Sequence, residues 1–135
     1  MKALALIALL AASPLYAGSS SVIYTEESQP GELMDDFVVR IAPRMANRTK
    51  ITGYEFCGVI ETNSERMRIE VYTSRSSTEC RLHNVSTDAI TVHTHPIHMA
   101  LYFGEGDYQT SGYLIRGRTV LHQKGQGTER VVSSR

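Results

Sequence analysis

The chain has 135 residues, with 14 lysines and arginines balanced by 14 aspartates and glutamates and 41% hydrophobic positions. That balance offers no basic footprint for nucleic acid or acidic lipid. The length suits one compact domain with one core.

At the N-terminus, Lys2, the apolar stretch 3–12, the helix-breaking Pro14 and the small Ala17 and Gly18 have the layout of a secretory signal peptide over residues 1–17. The apolar stretch is shorter than the about 20 residues of a membrane anchor, and no second one follows. The expectation is a periplasmic or secreted chain without a membrane anchor after signal cleavage. Residues 18–29 are polar and Ser-rich without a period, and read as a flexible lead-in.

From residue 30, Leu33, Met34, Phe37, Val38, Ile41 and Met45 recur at helical spacing. Pro30 suits a first helical turn, and Glu32, Asp35 and Asp36 lie where the helix dipole favours negative charge. This long amphipathic helix is expected to bend or end near Pro43. Past Asn47-Arg48-Thr49-Lys50, the run 54–60 is rich in strand formers, and Met67, Ile69 and Val71 alternate with polar neighbours. Two strands joined through Thr62-Asn63-Ser64 follow. In an oxidising compartment Cys57 and Cys80 are candidates for a disulfide worth roughly 3 kcal/mol. Gly58 reads as close packing of strand on helix.

After a polar loop, Ala89-Ile90-Thr91-Val92 forms a strand that runs into His93. A short helix is expected after Gly104-Glu105-Gly106-Asp107, then a hairpin pairing 113–115 with 119–121 across Arg116-Gly117-Arg118. Arg116, Arg118 and Lys124 read as a solvated hairpin face. His98 reads as a solvated loop residue, and His83 and His122 as structural or surface residues. The domain spans 30–123, and 124–135 reads as a polar, frayed tail. The fold class is α+β.

His93 and His95 are one residue apart, so on extended backbone both rings point to one face and can converge on one ion. Two imidazoles favour zinc or a similar transition metal. Asp107 is the nearest downstream aspartate for a third ligand, and three ligands leave a position for water, the arrangement of a catalytic zinc site. A base is then needed for that water. Glu55 is the best candidate, with Glu61 and Glu70 as competitors on a solvated strand face.

These residues resemble the signature of the JAMM metalloproteases of the JAB/MPN superfamily: an upstream Glu, then His-x-His, seven residues beginning with Pro, a Ser, two residues and an Asp. Glu55-Phe56-Cys57-Gly58-Val59-Ile60 looks like the Glu-bearing strand, and His93-Thr94-His95-Pro96 like the histidine pair. One extra spacer residue puts Gly104 at the serine position and Asp107 at the aspartate position. The resemblance, over about residues 30–122, implies a JAB/MPN-like (cytidine-deaminase-like) mixed sheet with a long N-terminal helix. It also implies zinc held by His93, His95 and Asp107, Glu55 as base, and hydrolysis of an amide bond in a peptide, protein or peptidoglycan-peptide substrate. The serine's stabilising role would fall to Thr94, Tyr108 or the Gly104 backbone N–H. The alternative is a catalytically weak or inactive binding module or partner subunit.

Overall fold

A computed structural model describes residues 21–134, so the signal peptide read at residues 1–17 lies outside the described residues. The elements run β1 (Tyr24–Glu27), α1 (Met34–Thr52), β2 (Cys57–Thr62), β3 (Met67–Val71), β4 (Ile90–Thr94), a one-turn 3-10 helix (Glu105–Gln109), β5 (Ser111–Arg116), β6 (Thr119–Gln123) and β7 (Arg130–Ser134). The strands form one mixed sheet in the order β1-β3-β2-β4-β5-β6-β7, in which β4 and β5 pair in parallel and the other pairs are antiparallel. This is the α+β class the sequence predicts.

Helix α1 lies on one face of the sheet. Its periodic Phe37, Val38, Ile41, Ala42 and Met45 are buried, and they form one core with Ile60, Ile69, Val71, Val92, Tyr113 and Ile115. Two expectations about the helix are corrected. It starts at Met34, because Pro30 and Gly31 (φ 73°) make a turn closed by the Glu32 N–H donating to the Gln29 carbonyl; Pro followed by a left-handed Gly favours a type II turn over a helix start. It also continues through Pro43, ending at Gly53 (φ 75°). Pro43 is on the exposed side while Met45 and Thr49 remain buried beyond it, so water can satisfy the freed carbonyl and tertiary burial carries the helix onward.

The stretch expected to be a flexible lead-in, 18–29, contains β1 among its described residues, paired with β3 from Tyr24↔Val71 to Glu27↔Arg68. The polar tail of 124–135 contains β7, paired with β6 and tied to α1 by two Arg130 bonds to the Asp35 carboxylate, both 2.9 Å. Both are edge strands with solvent on one side, which explains their polar composition. The close packing expected of Gly58 against the helix is instead against a neighbouring strand: a Cβ there would lie 2.5 Å from the Glu70 carbonyl oxygen and 2.6 Å from the Ile69 side chain of β3. Cys57 and Cys80 are bridged, fastening the loop that follows β3 to the start of β2. Among the described residues no helix is long and apolar enough to cross a membrane.

Candidate metal centre

Alternation along β4 decides which side chains meet. Val92 and Thr94 are buried towards α1, so Thr91 and His93 point to the opposite face, and His95 follows them on the extended backbone beyond the strand. Cys57 pairs with His93 across the ladder. The Thr94 N–H donates to the Phe56 carbonyl at 2.9 Å, which brings Glu55 level with His95.

Four side chains consequently line one cleft of about 500 Å³. His93 Nε2 is 3.2 Å from His95 Nε2 and 3.5 Å from Asp107 Oδ2, and His95 Nε2 is 3.7 Å from Glu55 Oε1. They come from the segment before β2, the end of β4 and the 3-10 turn. The two histidine side chains are 13% exposed and that of Glu55 is 4% exposed, so their charges are poorly solvated.

The proton positions follow from the partners. His95 Nδ1 is 2.7 Å from the Ala100 carbonyl oxygen, which can only accept, so Nδ1 carries a proton and Nε2 faces the cleft. Burial pulls His93 down to about 4, against the attraction of Asp107 and with the repulsion of His95. Its ring is therefore neutral at pH 7. Burial, then the negative charges of Asp107 and Glu79, push Glu55 up to about 7. A carboxyl balanced between its two forms near neutrality suits proton transfer.

Bonds of about 2.0–2.1 Å in tetrahedral array set zinc ligand atoms about 3.3 Å apart. The 3.2 and 3.5 Å separations around His93 Nε2 fit that spacing, and two imidazoles with a carboxylate are a zinc-type donor set. The four are strung out as neighbours, Glu55, His95, His93, Asp107, and among the described residues no group of three or more His, Cys, Asp or Glu side chains is placed to hold a metal ion as it stands.

The three groups expected to replace the serine are otherwise engaged. Thr94 is fully buried on the helix side, sharing a hydrogen bond with the Thr49 hydroxyl and accepting the Phe56 N–H at 2.9 Å. Tyr108 donates its hydroxyl to Glu129. The Gly104 N–H donates to Asp107 Oδ2 at 2.7 Å. Gly104 does have room for a side chain, since a Cβ would meet only Asp107 Oδ2 at 3.5 Å.

Sequence reasoning missed two supporting residues. Gln123 of β6, fully buried, donates to the carbonyls of Asp107 (3.0 Å) and Thr110 (2.7 Å) and accepts the Gly125 N–H at 2.6 Å. Arg116, read as solvated, donates to the carbonyls of Met99 (2.8 Å) and Ile97 (2.6 Å), holding the loop whose Ala100 carbonyl orients His95. Nothing local marks either one, since Gln123 follows His122 at the end of β6 and Arg116 adjoins a glycine turn. His98 and His83 are exposed as expected, and His122 is buried with its ring 4.4 Å from that of Tyr113. The competitors Glu61 and Glu70 lie on β2 and β3 away from the histidines, lining a neighbouring groove.

No protein-family model, curated protein or solved structure matches the chain.

Proposed function

We propose that the chain is an exported zinc-dependent peptidase or isopeptidase of the JAMM type, with a JAB/MPN-like fold. The observation that carries this reading is the meeting of Glu55, His93, His95 and Asp107 in one cleft, from segments far apart in sequence, at zinc-compatible separations around His93. His93 and His95, each through Nε2, and the Asp107 carboxylate are the ligands. Zinc bound there supplies a Lewis acid that polarises a carbonyl and acidifies water towards a pKa of about 7.

The remaining work belongs to the chain. Ionised Glu55 takes a proton from the attacking water on its carboxylate and returns it to the leaving amine. The Ala100 carbonyl keeps the His95 proton on Nδ1, and the Gly104 N–H holds the Asp107 carboxylate in place.

Metal analysis and hydrolysis together test the reading. The protein should hold one zinc; His93→Ala should release it; Glu55→Gln should retain it while losing hydrolysis of a peptide or peptidoglycan-peptide substrate. A Glu55→Gln variant as active as the parent would refute the assignment of the base. A second reading, a metal-holding binding module with weak or absent catalysis, is favoured by one observation: the Thr94, Tyr108 and Gly104 donors are all engaged elsewhere. Loss of one oxyanion donor commonly costs about 10²- to 10³-fold in rate. Gly104→Ser separates the two, because a slow enzyme gains activity and a module does not.

A further inference from the structure

Beside the metal cleft lies a second groove of about 580 Å³ on the open face of the sheet, a size that holds a small ligand or one or two residues of a peptide. Its floor is Val59 of β2 with Tyr72, and its wall is Leu82, Val85 and Ala89 of the loop after β3. Leu82 and Val85 also line the metal cleft, so the two spaces share a wall. The Cys57–Cys80 bridge fastens the beginning of that wall to the cleft floor.

The charge around the groove is uneven. Glu70 is matched by Arg68 at 2.9 Å, and Arg81, which lines the groove beside His83, is taken by Glu79 of the metal cleft at 3.2 Å. Glu61 and Asp88 line the groove with no salt bridge among the described residues. An occupant that buries an apolar side chain between Val59 and Val85 therefore meets two unmatched carboxylates at the rim. A neighbouring cationic side chain complements them.

We infer that this groove is a substrate subsite taking an apolar side chain of a polypeptide, flanked by a lysine or arginine, from the same chain that crosses the metal cleft. The inference rests on the peptidase reading of the cleft for the identity of the occupant. Continuity through Leu82 and Val85 makes the polypeptide the occupant, and the apolar lining with its acidic rim makes the sequence preference.

Methyl NMR of the metal-free protein tests it with N-acetyl-Leu-Lys-amide as the probe and N-acetyl-Asp-Asp-amide as the control. The expected result is saturable shifts at the Val59, Leu82 and Val85 methyls with the first compound and none with the second. Val85→Asp should weaken binding by about tenfold or more, since it sets a charge against the buried apolar group. Glu61→Lys, at an exposed position, should weaken it with the fold intact. Equal shifts with both compounds, or shifts that avoid these methyls, would overturn the subsite. Because chelation leaves the groove in place, binding by a protein that never takes up zinc would support the subsite while refuting the metal reading. Zinc uptake without these shifts would do the reverse.

Discussion

Glu55 titrates near 7 in the fold against an ordinary value of 4.5, chiefly because it is buried. Between those two values the folded chain retains a proton that the unfolded chain has released, so the stability of metal-free protein falls as pH rises through that window, by at most about 3 kcal/mol. Glu55→Gln should raise Tm of chelated protein at pH 8 and leave it nearly unchanged at pH 4. Equal shifts at both pH values would show that the carboxyl is not held protonated by burial. Gln123 is the second decisive side chain. Gln123→Met keeps the volume but leaves the Asp107 and Thr110 carbonyls without their donor, which should cost about 1–3 kcal/mol in stability. If Gln123 also aims the 3-10 turn, cobalt affinity, followed by its visible absorption, should fall about 10- to 100-fold; lower Tm with unchanged cobalt affinity would confine Gln123 to a structural role. The shared face of His93 and His95 was legible because a strand's alternation sets which side chains meet, whereas Glu55 and Asp107, before β2 and on the 3-10 turn, were reached through the motif spacing. The partners of Thr94, Gly104 and Tyr108 were not, since they come from α1, from the turn's own carboxylate and from the β6–β7 connection.

At the scale of elements, α1 and β3 were legible from periodicity, because each buries a regular face, and the β5–β6 hairpin from two short apolar runs across a glycine turn, since β5 is buried at four consecutive residues. β1 and β7 were not, because an edge strand with one wet side has the composition of a loop. β7 is held by its ladder with β6 and by Val132 against the core, and an ion pair adds a tie to α1. The Arg130 guanidinium and then the Tyr113 hydroxyl, which donates at 2.6 Å, hold the Asp35 carboxyl below its ordinary 3.8. A carboxyl shifted this way contributes stability that is present above 3.8 and lost as pH falls through its lower folded value. Both members of the ion pair are partly solvated, at 47% and 38% exposure, so solvent screening limits it to roughly 0.5–1 kcal/mol. Arg130→Ala should accordingly raise amide exchange in β7 at pH 7 with little change in β2 or β4. Uniform acceleration across the sheet would contradict this local role.

Across the whole molecule, one sheet separates two kinds of surface: an apolar face sealed by α1, and an open face on which the cleft, the groove and the disulfide-tethered wall are assembled. The bridge was legible as a pairing of two cysteines, but its place beside His93 depended on the β2–β4 register. Replacing Cys57 and Cys80 by Ala should cost roughly 3 kcal/mol, read by urea denaturation at equal ionic strength. Exchange in the 80–89 wall should rise more than in α1; a uniform loss would mean that the bridge acts only on the unfolded chain.

The parallel pairing of β4 and β5 obliges the polypeptide to travel from the far end of one strand back to the near end of the other. Residues 95–110 make that journey, and Asp107 lies on it. A return path must exist for topological reasons, yet its contour length is only loosely fixed, because exposed Ile97, His98 and Tyr102 take up slack in solvent. The path nevertheless delivers Asp107 to within 3.5 Å of His93. A change of length in this stretch is therefore accommodated at its exposed residues, while the Ile97, Met99 and Ala100 carbonyls stay tied to Arg116 and His95.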